Sequence, residues 1–423
     1  MLSVIAKIVI ARNISTYAMS IYSLTLPTMS LLISISQLGI PTTISKLIAK
    51  KKYPTLKIMQ VSVILLMLID LIVGVIYIFL VPTISSNYLK NDLTTLTLYG
   101  IVLLLPLVSL TSLLKGYFIG INKVEKTSIC QISEEIARLL FIIVFVDLID
   151  KNNISLLSFF TMFSSIIGEI ASLIHLILSL NIKNKKISKR IKINNNENKI
   201  INKTILQLSL YSTSTRIIGT IIYFFEPIIY TYLMLKNNIS NEKLTLDYGI
   251  INSYVFPLLL LPSFFSNCIS TFILPKLSYQ IESKDYNKVK KTFFYTLLSC
   301  LFVGIFAIFI ILIFPEFLSK LLYGKEIGIS YIKKYALFMI IYFIQMPIHI
   351  TLISFDKEKM LLFESVICNI VKIFSFFIFI PLFKIDGLVI SIFVSIYLSI
   401  LIHIVSLKKS FNKLKKESKL FIK

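Results

Sequence analysis

Long apolar runs separated by short polar loops follow one another along this chain of 423 residues. Their length is decisive, because about 20 consecutive apolar residues in a helix span the hydrocarbon of a bilayer. The chain is 56% hydrophobic and 15% charged, whereas a soluble domain carries roughly a quarter charged residues. We therefore interpret it as a polytopic membrane protein. Each run is predicted to be an α-helix, since lipid offers the backbone no hydrogen-bond partners.

The apolar runs predict twelve spans in two sets of six. The first set covers residues 1–12, 20–45, 58–84, 93–121, 127–149 and 155–181. The second set covers residues 204–235, 248–275, 292–315, 331–354, 360–383 and 386–407. The sequence thus predicts an N-lobe (1–181), a basic linker (182–203), a C-lobe (204–407) and a basic tail (408–423).

The basic residues lie mainly in every second loop, in the linker and in the tail. A formal net charge of +23 is compatible with nucleic-acid binding, but this alternation indicates membrane topology instead. By the positive-inside rule the basic loops, the linker and the C-terminus are cytoplasmic. We expect contacts with anionic membrane lipids, no nucleic-acid partner, and a multi-pass location in a bacterial cytoplasmic membrane.

The two halves repeat each other. Pro27 matches Pro257 at an offset of 230, and Arg138 matches Lys372 at an offset of 234. Six spans is an even number, so the halves share one orientation and are related by an axis along the membrane normal. The predicted fold class is an all-α membrane protein with two pseudo-symmetric six-helix lobes around a central cavity.

The repeat also predicts that the first span is truncated. The seventh span runs for about thirty residues from Thr204, whereas the first span, its counterpart in the repeat, has only about a dozen residues. We expect a gene-model error. An upstream in-frame apolar stretch supports that hypothesis, and a stop codon directly before Met1 contradicts it.

Three stretches carry a family resemblance: IYSLTLPT at 21–28, LGIPTTISKLIAKKK at 38–52 and LLKGYFIGINKVEKTSICQISEEIAR at 113–138. They resemble the stage V sporulation protein B family of polysaccharide-biosynthesis transporters. That family shares a superfamily with the lipid II flippase MurJ, Wzx-type O-antigen flippases and MATE exporters. The resemblance implies a MATE-like fold that moves undecaprenyl-pyrophosphate-linked sugars outward by alternating access. It also makes the cell-wall synthesis machinery a candidate partner.

The chain departs from MurJ-like members in two respects. Those members usually have two further spans after the twelfth, whereas this chain has a lysine-rich tail there. Their cavity is cationic, whereas the second span of this chain, residues 22–43, contains no arginine. The identity of the glycan is therefore left open.

Basic side chains inside spans are the candidate ligands for a lipid pyrophosphate, since intramembrane charge is expensive and marks function. The candidates are Arg138, Lys372, Arg216 and Lys115. Arg138 and Lys372 are repeat equivalents and are predicted to face each other across the cavity. Arg216 lies in the polar run STSTRIIG, which is typical of a cavity-lining helix.

Two of these cations have a structural alternative. Glu134 and Glu135 precede Arg138 by four and three residues, so they can neutralise it on its own helix face. Lys115 lies near the cytoplasmic end of its span and can snorkel to the headgroups.

Acidic residues inside spans are candidates for binding a coupling ion, Na⁺ or H⁺. We select Glu226, Glu134 and Asp70 from a set that also contains Glu135, Glu169 and Glu364. Glu226 precedes Pro227, and a helix break favours ion coordination; the alternative is that Glu226 lies near the outer interface. The histidines and cysteines are isolated in the sequence, so no metal motif is recognised, and we predict buried cysteines and no other cofactor. A proton relay through a histidine is the alternative reading.

Two other functions compete with a flippase. A polytopic enzyme such as a glycosyltransferase needs a carboxylate pair or metal motif in a sizeable loop, and the loops here are short. We therefore predict no enzyme activity and assign no catalytic residue. A MATE-type drug exporter needs an acidic cavity for cationic drugs, whereas the intramembrane lysines and arginines favour an anion. A Wzx-type polysaccharide exporter is the nearest alternative.

Overall fold

The structure is a computed structural model that describes residues 2–50, 53–180 and 195–421. In these ranges all regular secondary structure is helical and no strand occurs. Most of the predicted basic linker, residues 182–194, lies outside the described residues.

The first nine helices extend to residue 250. They are α1 (Leu2–Asn13), α2 (Thr16–Gln37), α3 (Ile40–Ala49), α4 (Thr55–Pro82), α5 (Thr95–Gly120), α6 (Val124–Phe145), α7 (Ile154–Ser179), α8 (Asn195–Lys236) and α9 (Asn241–Ile250). A π-helical turn, Thr83–Tyr88, extends α4.

Eight helices follow. They are α10 (Phe256–Leu260), α11 (Ser263–Glu282), α12 (Tyr286–Ile313), α13 (Pro315–Tyr323), α14 (Ile329–Tyr335), α15 (Gln345–Ser354), α16 (Glu358–Phe383) and α17 (Ile385–Phe421). A π-helical turn, Ile251–Val255, precedes α10, and a 3₁₀ segment, Leu337–Ile344, leads into α15.

The chain divides into two compact units. We call them the N-unit, residues 2–232 and 240–249, and the C-unit, residues 233–239 and 250–423. The lobe boundaries given above from the sequence stay a prediction.

Among the described residues, nine helices are long and apolar enough to cross a membrane, or ten if the bent pair Asn241–Leu260 and Ser263–Glu282 is one span. These ten coincide with ten of the twelve predicted spans. The other two predicted spans are α1, which has 12 residues, and α6, whose apolar stretch is interrupted by three charged side chains near its middle. The prediction of an all-α polytopic fold is confirmed.

The second predicted span is broken between Gln37 and Ile40. Leu38 and Gly39 both adopt left-handed backbone conformations, with φ of 41° and 64°, and α3 begins at Ile40. The local cause is a glycine followed closely by Pro41, because glycine tolerates positive φ and proline suits the first turn of a new helix. The Thr42 hydroxyl donates to the Gly39 carbonyl at 2.8 Å.

Helix α3 packs closely against α5 at a glycine. A Cβ atom on Gly116 would lie 2.5 Å from the carbonyl oxygen of Pro41. Next to this contact, Ile44, Ile48 and Leu113 belong to a buried apolar cluster. The packing therefore fixes the part of α5 that carries Lys115.

Two helical hairpins, α5–α6 and α15–α16, have the same backbone design. Asn122 and Asp356 both adopt positive φ, 64° and 56°. The next residue in each hairpin donates its backbone N–H to the carbonyl five residues earlier, at 2.8 and 3.1 Å. Arg138 and Lys372 each lie fourteen residues after the first residue of their helix. The repeat in the sequence is therefore also a repeat in structure.

Candidate functional site

An ion pair inside the N-unit joins α5 to α6. Lys115 Nζ lies 3.1 Å from Glu134 Oε2, and the two side chains are 21% and 24% exposed. A second carboxylate, Glu169 on α7, accepts a hydrogen bond of 2.6 Å from the Thr111 hydroxyl and interacts electrostatically with Lys115 and Glu134. Among the described residues, Glu134 alone pairs with the ammonium group and balances its charge in a poorly solvated place, while Glu169 adds a second carboxylate nearby.

Arg138 has different partners from those considered in the sequence analysis. Its Nη2 donates to the Tyr22 hydroxyl at 3.3 Å, and its Nε donates to the Ser164 hydroxyl at 3.4 Å. Glu135 interacts with it electrostatically, whereas Glu134 is paired with Lys115 instead. A guanidinium has five N–H donors, so two long bonds to neutral hydroxyls leave donors for other partners.

Lys115 and Arg216 line one cavity of about 210 Å³ inside the N-unit. We call it the N-unit cavity. Its lining residues are Gln37, Gly39, Pro41, Thr42, Ser45, Ser112, Lys115, Gly116, Ile119 and Arg216. The break between α2 and α3 forms one wall, and α5 and α8 contribute the two cations. Two of the four basic residues predicted to bind substrate are therefore brought together, and no acidic residue is among these lining residues.

Lys372 lies in the C-unit and is half-buried on α16. Its Nζ lies 5.4 Å from the centroid of the Phe376 ring, a distance typical of a cation–π contact. Its predicted position opposite Arg138 stays a prediction.

Two of the acids predicted to bind a coupling ion are almost fully buried in the N-unit. Asp70 is 6% exposed, and its Oδ1 accepts a hydrogen bond of 3.0 Å from the Ser109 hydroxyl. Its Oδ2 has no hydrogen-bond partner among the described side chains. Glu226 is 1% exposed and lies beside Tyr248. The third candidate, Glu134, is the partner of Lys115. Their assignment as coupling-ion ligands stays a prediction.

The sequence analysis named Glu364 among the acids inside spans but missed its pairing with a histidine in the C-unit. Glu364 Oε2 lies 2.9 Å from His403 Nε2, and Glu364 Oε1 accepts a bond of 3.3 Å from the Cys368 thiol. The spacing of Glu364 and Cys368 by four residues places them on one helix face, but His403 is 39 residues from Glu364 in the sequence, and that separation carries no recognisable pattern. Cys130, Cys300 and Cys368 are buried, as predicted, whereas Cys268 is exposed, so the prediction of burial is wrong for that cysteine.

Charged side chains buried in long apolar helices, with cations lining a cavity, define a class of protein: a polytopic membrane protein that handles a polar solute within its spans. Residues 1–281 match the family model described as polysaccharide biosynthesis protein, and residues 217–378 match the MatE model. The chain belongs to the polysaccharide biosynthesis protein family.

Curated relatives and solved structures agree with this assignment. The chain is 27% identical to stage V sporulation protein B of Bacillus subtilis (strain 168) over 97% of this chain and 80% of that protein. It is 21% identical to sporulation protein YkvU of the same organism over 88% of this chain and 83% of that protein.

Two solved structures share the fold. The inward closed conformation of lipid II flippase MurJ matches with a TM-score of 0.74 at 15% identity, over 99% of this chain and 88% of that one. An inward-facing MATE family transporter of the MOP superfamily matches with a TM-score of 0.72 at 13% identity, over 98% and 95%. The predicted MATE-like fold class and the family resemblance are confirmed.

Proposed function

We propose that this protein is a flippase that moves a polyprenyl-pyrophosphate-linked saccharide across the bacterial cytoplasmic membrane by alternating access. The observation that carries the proposal is the N-unit cavity, where Lys115 and Arg216 are the charged lining residues. The names of the relatives support it, since one matched structure is a lipid II flippase and the matched family is one of polysaccharide biosynthesis.

The chemistry of the substrate explains why cations are needed. A pyrophosphate carries several negative charges and cannot enter hydrocarbon without partners. Arginine can hold phosphate oxygens through two parallel N–H bonds, and lysine supplies a compact positive charge. Arg216 is exposed in the N-unit, which leaves it accessible to a ligand. We assign it the first contact with the pyrophosphate.

Lys115 has a different proposed role. Glu134 holds its ammonium group at 3.1 Å, so its charge is balanced when no ligand is bound. A pyrophosphate entering the N-unit cavity competes with Glu134 for this ammonium. Binding therefore frees a carboxylate on α6, and Glu134 becomes a candidate for taking up the coupling ion, Na⁺ or H⁺.

Arg138 and Lys372 complete the proposed anion path. Both are half-buried on the second helix of equivalent hairpins. We propose that they bind the pyrophosphate from the two lobes as it passes, with the C-terminus and the basic loops in the cytoplasm.

The competing functions receive less support. A drug exporter for organic cations needs a carboxylate in its cavity, and the described lining of the N-unit cavity carries two cations instead. We propose a transporter rather than an enzyme. A Wzx-type exporter of O-antigen, capsule or teichoic polysaccharide uses the same anion chemistry, so the glycan is to be identified by experiment.

Replacing Arg216 tests the proposal. In a strain depleted of the wild-type protein, Arg216→Ala is expected to lower complementation by about tenfold or more, since a charge-assisted bond to phosphate is worth roughly 1.5–3 kcal/mol. Arg216→Lys is expected to retain part of the activity. Lys151→Ala is the matched control, because it removes an exposed N-unit lysine paired with Asp147. Full complementation by Arg216→Ala at normal membrane levels would contradict the role of the N-unit cavity.

A further inference from the structure

The C-unit contains a buried group of ionisable side chains that the proposed anion path does not use. Its centre is the pair Glu364 on α16 and His403 on α17, whose side chains are 7% and 2% exposed. Cys368 donates to the second carboxylate oxygen. The His349 ring on α15 lies 5.7 Å from the His403 ring, centroid to centroid. Three helices thus meet at one ionisable cluster.

The fold does not require this pair. Glu364 lies six residues after the start of α16, and Cys130 lies six residues after the start of α6. His403 and Ser172 each lie eighteen residues after the start of α17 and α7. In the N-unit the equivalent contact is a Cys130 Sγ–Ser172 Oγ bond of 2.7 Å.

A small neutral pair therefore satisfies the same helix contact in one half of the repeat. An ionisable pair there is costly, because charged groups lose their hydration when buried. Its presence in the C-unit indicates a use beyond packing.

One nitrogen of the cluster is ready to accept a proton. His403 Nε2 faces Glu364, while its Nδ1 is buried and has no hydrogen-bond partner among the described residues. With Nε2–H donating to the carboxylate, Nδ1 carries the lone pair. Adding one proton at Nδ1 converts a cluster of net charge −1 into an imidazolium–carboxylate pair of net charge zero. Burial favours the state without net charge, so the surroundings favour uptake of that proton.

A polar cavity provides access. His349 lines a cavity of about 210 Å³ in the C-unit, which we call the C-unit cavity. Its other lining residues are Ser263, Ser266, Asn267, Tyr342, Phe343, Gln345 and Met346. Several of these are hydrogen-bonding side chains, so the cavity can hold water. Gln345 also bonds to Ser399 at 3.5 Å, one helical turn before His403.

We propose that Glu364 and His403 form a proton-binding site inside the C-unit, and that His349 connects this site with the C-unit cavity. A proton passes from cavity water to His349 and then, through a bridging water or a rotation of one ring, to Nδ1 of His403, and it returns by the same path. The titratable groups that face the pair are His349 from α15 and Cys368 from α16; from α12, Cys300 contacts Ser266 of the cavity wall. The use of this proton as the coupling ion rests on the proposed flippase function, whereas its binding does not.

Histidine nitrogen NMR of the full-length chain in lipid nanodiscs tests the site directly. The chain has three histidines, so His403→Gln assigns the His403 signal by its loss. At alkaline pH we expect the tautomer with the proton on Nε2. On acidification we expect His403 to become doubly protonated, with the second proton on Nδ1. The other tautomer, or a His403 that stays singly protonated as far as the folded chain can be acidified, would overturn the proposal.

Two variants distinguish the effect of the Glu364–His403 pair from the effect of removing any carboxylate on α16. Glu364→Gln is expected to lower the proton affinity of His403 by about tenfold or more, because a carboxylate within hydrogen-bond distance stabilises the imidazolium. Glu358→Gln on the same helix removes an exposed carboxylate and is expected to leave His403 unchanged. An equal effect of both variants would contradict the pairing. If Glu364→Gln fails to insert, the wild-type titration still decides.

The transport proposal fails independently of this one. If the chain moves no lipid-linked saccharide but His403 titrates as described, the flippase function is wrong and the proton site stands. If transport is observed and His403 does not titrate, the proton site is wrong and the flippase function stands.

Discussion

Lys115 and Arg138 lie close to one another in the sequence and on neighbouring helices, yet the structure gives them different environments. Lys115 is paired with Glu134, whereas Arg138 is held by two hydroxyl groups. An ammonium that already has a carboxylate must exchange partners to bind substrate. Arg138 also has a carboxylate nearby, Glu135, but its hydrogen bonds go to neutral hydroxyls, which a phosphate can replace more readily than a paired carboxylate. We therefore expect Arg138 to contribute more to anion binding than Lys115.

Replacing Arg138 or Lys372 tests this at the residue scale. Each substitution by alanine is expected to abolish complementation of a depleted strain while membrane insertion, measured by quantitative immunoblot of the membrane fraction, is unchanged. The reason is the loss of a cation from the proposed anion path, where water cannot replace it.

A conservative pair of variants serves as the control. Arg138→Lys and Lys372→Arg keep the charge and should recover part of the activity, although lysine cannot bind phosphate in the forked geometry of arginine. Full activity of the double alanine variant would show that neither residue binds the substrate.

The residues that sequence reasoning missed share a physical cause. Tyr22 and Ser164 bind Arg138 from α2 and α7, and His403 meets Glu364 across 39 residues. Such contacts depend on how the helices pack. The sequence of one helix shows that it contains a polar residue but not which neighbouring helix that residue contacts. Charged residues inside spans were recognisable because their cost in lipid is independent of their partners.

At the scale of helices, the sequence predicted the positions of most spans but not the break in the second one. Residues 20–45 read as a continuous apolar run, while the structure has α2 ending at Gln37 and α3 beginning at Ile40. The signal was present in Gly39 and Pro41. It is ambiguous, since both residues are tolerated inside membrane helices. The break matters because it forms one wall of the N-unit cavity.

The contact between α3 and α5 at Gly116 gives a prediction at this scale. A Cβ atom there would lie 2.5 Å from the Pro41 carbonyl oxygen, so Gly116→Ala must move one helix away from the other. Overpacking of this kind costs about 1–3 kcal/mol, and we expect a lower thermal unfolding midpoint in detergent.

Gly219 in α8 provides the matched control. A Cβ atom at Gly219 would meet nothing within 4 Å, so Gly219→Ala should be neutral or stabilise by up to about 1 kcal/mol through helix propensity. Equal midpoints for the Gly116 and Gly219 variants would show that α3 does not pack against α5 in this way.

At the scale of the whole molecule, the repeat was readable because it preserves turn chemistry and charge at fixed offsets. Asn122 and Asp356 are residues that tolerate positive φ, and both take it. The repeat also shows where the halves differ. At one equivalent position the N-unit has a cysteine–serine contact and the C-unit has a glutamate–histidine pair. The two halves have therefore diverged in the chemistry of this helix contact.

The proposed flippase function predicts that the chain transports an anion, and the identity of that anion can be measured directly. The protein is depleted in the bacterium that encodes it, and the accumulated lipid intermediates are identified by mass spectrometry. We expect a polyprenyl-pyrophosphate-linked saccharide to accumulate, and to return to its normal level with the wild-type chain but not with Arg216→Ala. If no lipid-linked saccharide accumulates on depletion, the proposed flippase function is contradicted.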